Sequence, residues 1–346
     1  MPKQSYKQMV HFCVLLLLIH SLGSQAEPAR AQDPLPIVIN SIGDQPDFAD
    51  NTVCETESGN GVCTLRAAIE HANYLQSSTG TVITFEISHR IPTIPTIIFI
   101  GSALPTLQAV GTTIQGPNLY DGSVLVLDGS DGTYNGLDIR ANNCTIKKLT
   151  IANFSGDESY GLSVGSNSLA HVTGALIVDN IIGNMVPLSI GYRSNYGGIK
   201  LENTYSSVIG GDTTAKRNVI SGNTVYGILI KDSATNVVKG NYIGLKKDGS
   251  TELGNRYGVF VSNSIGNTIG GTFAGRRNVI SGNLGSGIYL RGDSNGVQGN
   301  YVGTDASGMV AVPNDVGVIV ESDENKFYSK QNRGYRTRGR KSHLGQ

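Results

Sequence analysis

The chain carries no tryptophan, only four cysteines and four methionines in 346 residues, and charged side chains at just 16 % of its positions. Four cysteines cannot staple a disulfide-dense scaffold. Without tryptophan, stacking of rings against a ligand falls to tyrosine and phenylalanine. An apolar period near 3.6 residues, the mark of a helical fold, is missing from most of the chain. After the apolar run at 12–19 no stretch is long and apolar enough to cross a bilayer, so no membrane span is expected once that run is removed. Catalytic signatures are scarce as well. His71, His89 and His171 have no serine, cysteine or aspartate partner at a recognisable spacing.

Glycine, by contrast, is abundant at 45 residues. The string RNVISGN stands at 217–223 and again at 277–283, sixty residues on, and GNYIG at 240–244 returns as GNYVG at 299–303. Self-similarity at a fixed period marks an array. The sixty-residue unit divides into two halves, each opening on a glycine followed by alternating apolar residues. The openings begin at Gly136, Gly161, Gly198, Gly227, Gly258, Gly287 and Gly317, and the last five are spaced by 29, 31, 29 and 30 residues. Alternate residues of a strand face opposite sides. Pairs such as Ile228/Ile230, Val259/Val261 and Ile288/Leu290 therefore form one aliphatic side.

Two more short β-rich runs follow each opening, each anchored by asparagine and closed by glycine. Three short strands per turn of about thirty residues specify an all-β fold: a right-handed parallel β-helix of about seven rungs, stacked ~4.8 Å apart. Asparagines recurring at one turn position, among them Asn236, Asn267 and Asn295, read as a structural ladder of stacked amides. Glycine is expected where the turns need φ > 0.

Residues 1–31 read as a secretory signal peptide. Lys3 and Lys7 precede the apolar run with Cys13, and cleavage is expected after Ala26 or Ala31. Export implies a secreted or cell-surface location and permits a disulfide, which Cys54 and Cys63 are spaced to form. Metal is the rival reading of that pair, but no histidine or further cysteine adjoins it. Cys144 falls at the ladder position of later turns and reads as a small buried apolar group.

The formal charge is zero but unevenly placed. Residues 326–346 hold seven basic side chains and no acidic one, whereas 32–325 hold 17 basic and 26 acidic, giving 17 − 26 = −9. The period also fails after Asn325. Residues 326–346 therefore read as a basic disordered tail left by a frameshift or truncation, with a genuine basic anchor as the alternative, and nucleic acid is not an expected partner. A truncated last rung would leave an open edge and invite end-to-end self-association.

Residues 32–129 do not follow the period and read as an N-terminal cap on a β-helix at 130–325. Residues 63–73 fit one amphipathic helix with Leu65, Ala68, Ile69 and Ala72 on one face and Thr64 as N-cap. Strand-like runs follow at 81–87, 96–100, 112–116 and 124–129. The string CTLRAAI at 63–69, with Cys54 upstream, resembles the N-terminal CSLREA-type domain of exported bacterial β-helix proteins, with Thr64 in place of the serine and Ala67 in place of the glutamate. The succession ITF at 83–85, LPTL at 104–107 and TIQGP at 113–117 is similar to that group too. The repeats resemble the right-handed parallel β-helix family of pectate-lyase-like fold, rich in NTIGG, NVISGN and GNYIG units. The resemblance covers residues 36–325. It is specific for fold and weak for function, because the family includes polysaccharide lyases, hydrolases, epimerases and adhesins.

Outward residues of a β-helix form straight columns. One column reads Asp138, Ser163, Lys200, Leu229, Phe260, Tyr289 and Ile319, and the next carries Arg140, Glu202, Lys231, Arg291 and Glu321. Phe260 and Tyr289 are candidates to stack on sugar rings, and Lys200, Lys231 and Arg291 to meet the carboxylates of an acidic polysaccharide. An ordinary solvated sheet face is the plain alternative. A lyase would need two or three carboxylates on neighbouring rungs to hold calcium. A hydrolase would need a carboxylate pair roughly 5–10 Å apart. Glu202 and Glu321 share a column but stand four rungs apart, and Asp157 and Glu158 read as a solvated turn. Asp248 and Asp305, on long loops at 245–254 and 304–313, are the candidate calcium ligands, although neither loop has a known calcium-loop spacing, and no other cofactor is expected. These features favour a non-catalytic, adhesin-like rod that displays a glycan-binding face, with a polysaccharide lyase or glycoside hydrolase as the alternative.

Overall fold

The computed structural model describes residues 36–49, 52–77, 80–87, 95–117, 125–166, 170–183, 194–322, 324–328, 337–338 and 343–345. The signal-peptide segment and His89 lie outside them. Among the described residues, three parallel sheets of eleven, eight and eight strands, here A, B and C, form a right-handed parallel β-helix. From Thr113 to Val320 each turn gives one strand to each sheet. Val208–Gly210 lies in A, Val219–Ile220 in B and Tyr226–Lys231 in C, and the next turn repeats the order with Val237–Lys239, Tyr242–Ile243 and Tyr257–Ser262. Among the described residues no helix is long and apolar enough to cross a membrane.

The interior is three aliphatic columns. In sheet A, Ile83, Ile114, Ile146, Ile177 and Ile209 stack in register. In sheet B, Ile182, Ile220, Ile243 and Ile280 do the same. In sheet C the paired positions of the openings, Ile228/Ile230 beside Val259/Val261 and Ile288/Leu290, are fully buried. Burying one such side chain contributes about 1.5–3 kcal/mol, so the columns carry the stability.

The opening glycines have a reason that sequence reading misassigns. Gly227 does not serve a turn. A Cβ on it would come within 2.6 Å of the Gly258 carbonyl oxygen, 2.9 Å of Asn255 Nδ2 and 3.1 Å of Ile243 Cγ2. It points inward, as does Ile228 beside it, so alternation breaks there once per rung. Glycine is required because the next backbone and the core leave no room.

At each of the three corners an asparagine ladder runs along the axis. Asn180, Asn218, Asn241, Asn278 and Asn300 link between A and B, each Nδ2 donating to the next Oδ1 at 2.9–3.1 Å. Asn195, Asn223, Asn255, Asn283 and Asn314 link between B and C at 2.8–3.0 Å. Asn236, Asn267 and Asn295 link between C and A, with Asn325 accepting from the Asn295 backbone N–H. Each amide also donates to a carbonyl inside the corner, as Asn267 does to Ser233 and Ile265. Buried turns thereby satisfy backbone groups that strands would otherwise pair.

The β-helix starts before residue 130. Strand β1 (Ile37–Ile39) pairs with Val82–Phe85, which pairs with Thr113–Gln115, which pairs with Thr145–Lys147, all in sheet A. Inward isoleucines suffice to hold this register, while loops of unequal length between them hide the period. Helix α1 (Leu65–Leu75) packs against β1. Thr64 caps it by accepting from the Ala67 N–H at 3.1 Å, and Leu65, Ala68, Ile69 and Ala72 are buried. Cys54 and Cys63 are bonded to each other.

At the other end, the segment read as a disordered tail begins as structure. Lys326–Tyr328 pairs with Gly296–Gln298, and Phe327 takes the core position next to Val297 with 4 % of its surface exposed. An aromatic fills the aliphatic column there, so the sheet continues past the point where the sequence pattern fails.

Candidate functional site

The outward surface of sheet C carries an unbroken aromatic row. The register puts Tyr226 beside Tyr257, Leu229 beside Phe260, and Phe260 beside Tyr289. Gly197 lies between Tyr160 and Tyr226. Because Gly197 has no side chain, the Tyr160 ring leans over it and stacks on Tyr226, with centroids 6.5 Å apart and planes 14° apart. Tyr226 stacks on Tyr257 at 5.8 Å, and Tyr196 meets Tyr160 and Tyr226 edge-on. Pairs of this kind add about 0.5–1.5 kcal/mol beyond area burial.

Sequence reasoning placed Tyr289 on this face but missed Tyr160, Tyr226 and Tyr257. Strict alternation puts Tyr226 on the same side as Ile228, inside. The inward glycine after it reverses that parity. The available signal was tyrosine directly before the opening glycine at Gly161, Gly227 and Gly258.

Phe260 is not the platform expected of it. Only 8 % of its surface is exposed, because Tyr226, Tyr257 and Tyr289 close over it at centroid distances of 5.4, 5.4 and 4.8 Å. It is the floor of the row. The faces of the tyrosines are largely spent on one another.

The cations expected to meet an acidic polymer are already engaged. Lys231 Nζ lies 2.7 Å from Glu202 Oε1 and Lys200 Nζ 3.1 Å from Oε2, so one carboxylate clamps both lysines. Lys231 also reaches Asp232 at 3.9 Å. Arg291 Nε pairs with Glu321 at 3.1 Å, and Arg140 holds both oxygens of Asp138 at 2.9 and 2.8 Å. Burial opposes ionisation of Glu202, but the hydrogen bonds from Lys231 and Lys200 outweigh it and hold its carboxyl below the ordinary value. The phenols move the other way. Burial raises Tyr160, Tyr196 and Tyr226, and burial together with the bond to Glu321 pushes Tyr289 up to about 12. Beside the row Arg256 lies over the Tyr257 ring at 5.3 Å.

The long loops use their aspartates internally. Asp248 accepts from the Ser250 and Thr251 N–H groups and from the Thr251 hydroxyl, which lower its pKa to about 2. Asp305 accepts from Ser307, Met309 and Val310. The candidate calcium carboxylates are thus the turn acceptors of their own loops. Under these loops sits a second signal that sequence reading passed over. Arg217 lies over the Tyr242 ring at 4.0 Å and Arg277 over Tyr301 at 4.1 Å, each Nε donating to a glycine carbonyl. The arginine of RNVISGN and the tyrosine of GNYIG recur together because they stack across adjacent rungs.

A family model described as periplasmic copper-binding protein (NosD) matches residues 188–332, less than half of the chain. That span coincides with the ladder-bearing rungs. The chain is a parallel β-helix repeat protein. Among solved structures it is similar to the A-module of the mannuronan C-5 epimerase AlgE4 of Azotobacter vinelandii, at 12 % identity and a TM-score of 0.34, with 85 % of this chain and 96 % of that one covered. No curated protein matches the chain significantly.

Proposed function

We propose that this is an exported, non-catalytic β-helix rod that binds an extended glycan along the outward face of sheet C. The observation that carries the reading is the continuous row of half-buried tyrosines Tyr196, Tyr226, Tyr257 and Tyr289, set on a rigid sheet. Those rings span three rung steps, about 14 Å at ~4.8 Å per step, which suits an oligomer better than a single sugar, while Tyr160, only 3 % exposed, supports the row from within. Export is read from the signal-like residues 1–31 and agrees with the periplasmic description of the matching family. We read 32–129 as a CSLREA-type cap on a pectate-lyase-like fold, in which Arg66 is the pin. It donates to Asp44, Ser102 and the Ala103 carbonyl, tying two loops to α1.

A lyase or hydrolase is the second reading, and the chemistry of the face weighs against it. A general acid needs a raised carboxyl pKa, whereas that of Glu202 is lowered. A tyrosinate base needs a lowered phenol pKa, whereas the shifted tyrosines are raised. Copper, in the matching family's description, does not fit the described residues either. No group of three His, Cys, Asp or Glu side chains is placed to hold a metal among them. The Cys144 thiol is buried and its pKa is pushed up to about 11, which disfavours the thiolate a copper site would use.

The test is binding of the full chain to immobilised polysaccharides, with chromatography of the polysaccharide afterwards. Tyr226→Phe with Tyr257→Phe keeps the packing and removes two hydroxyls, and about tenfold weaker binding is expected. Chain cleavage or altered sugar composition would establish the enzymatic reading instead.

A further inference from the structure

The charge arrangement of sheet C points to the chemical class of its ligand. This rests on the reading of that face as a glycan-binding surface. Four cations, Arg140, Lys200, Lys231 and Arg291, project from its outer columns, and four carboxylates, Asp138, Glu202, Asp232 and Glu321, are paired with them. Beside the tyrosine row Arg256 lies over the Tyr257 ring at 5.3 Å, and Asp157 and Glu158 act on Tyr196, so the face carries no excess of cations. Glu202, with 9 % of its side chain exposed, is held between two lysines.

A uronate approaching Lys200 or Lys231 would have to displace Glu202 and would then lie against its charge. Like charges brought together at an interface cost more than a rim ion pair returns. The tyrosines offer the opposite selection. Phenols are neutral O–H groups near neutral pH, donors suited to the hydroxyl and ring oxygens of a sugar without a charge.

We infer that sheet C binds an uncharged polysaccharide and discriminates against acidic ones, through the Glu202–lysine clamp and the Glu321–arginine pair. The ligand is a neutral hexose or pentose polymer lying along the rod axis.

The experiment uses the full chain and matched pairs of polymers: alginate, pectate and glucuronoxylan, each beside its carboxyl-reduced counterpart, at fixed ionic strength. A reduced polymer has the same backbone with a neutral hydroxymethyl group in place of each carboxylate. The expected result is that at least one reduced polymer binds about tenfold more tightly than its acidic parent. Glu202→Gln, which frees both lysines, is expected to narrow that ratio. An acidic parent that binds the native chain more tightly than its reduced counterpart would overturn the inference while leaving a glycan-binding face intact. Absence of binding to all six polymers, or binding insensitive to Tyr226→Phe with Tyr257→Phe, would overturn the glycan-binding reading itself and the inference with it.

Discussion

The rungs before residue 166 and those after residue 194 share the same three sheets but are held at their corners by different chemistry. In the later rungs the corners carry ladders of buried amides, complete from Asn180 and Asn195 onward at two corners and from Asn236 onward at the third. In the earlier ones the same positions are apolar or small. Leu149 stands one turn before Asn180, its N–H donating to the Asn180 side chain, and Phe154 stands one turn before Asn195 in the same way. Between C and A the column reads Thr112, Cys144, Ala175 and Ser207 before it becomes Asn236, Asn267 and Asn295. An amide ladder works only between like neighbours, because each asparagine satisfies the next. Where the turns are irregular, single contacts replace it: the Cys54–Cys63 bridge, the Arg66 pin, and the wholly buried Phe154 ring against Tyr134. A periodic sequence permits a cooperative device; an aperiodic one must be fastened point by point.

The sharpest way to break this comparison is to truncate one column on either side of the change. Asn267→Ala removes the acceptor of the Asn236 N–H and amide and the donor to Asn295. Several buried groups lose their partners at once, and a loss of about 3 kcal/mol or more is expected, spreading to adjacent rungs. Ser207→Ala removes one acceptor, for the Ala175 N–H at 3.3 Å, and about 1 kcal/mol is expected. Urea unfolding with hydrogen exchange measures both, and equal losses would refute the distinction.

Next in size is the disulfide. Replacing Cys54 and Cys63 by alanine opens a loop of sequence separation 9, and chain entropy sets the loss at about 2.5 kcal/mol. Exchange should rise through 40–75 and stay unchanged beyond 194. A rise in the ladder rungs would show that the two regions do not behave as separate units.

The smallest contrast is between two arginines. Arg66→Ala should cost about 2 kcal/mol, because Asp44 loses its cation and keeps only the Gly101 N–H, and four further bonds are lost. Arg277→Ala removes a stack on Tyr301 and one hydrogen bond to the Gly299 carbonyl and should cost about 1 kcal/mol. Arg66→Lys keeps the charge but not the fork, so it should recover less than half of the Arg66→Ala loss. Full recovery would mean that charge alone holds the cap.

Much of the fold was legible before any coordinates. Period, alternation and the asparagines at corners determined a three-sided parallel β-helix, its aliphatic columns and helix α1, because these follow from local geometry repeated turn after turn. Tertiary structure alone decided three other matters. It set where the sheets begin and how far they run, since Ile37 joins at one end and Phe327, followed by Leu344, at the other, by register across loops whose lengths carry no period. It put Tyr160, Tyr226 and Tyr257 outside, since the inward glycine beside each reverses the side on which the strand would otherwise present it. And it neutralised Lys200, Lys231 and Arg291, since whether a cation is available depends on which carboxylate lies within about 3 Å of it, a distance set by the stacking of rungs some thirty residues apart or, for Lys200 and Glu202, by the pleat that sends both out of one face.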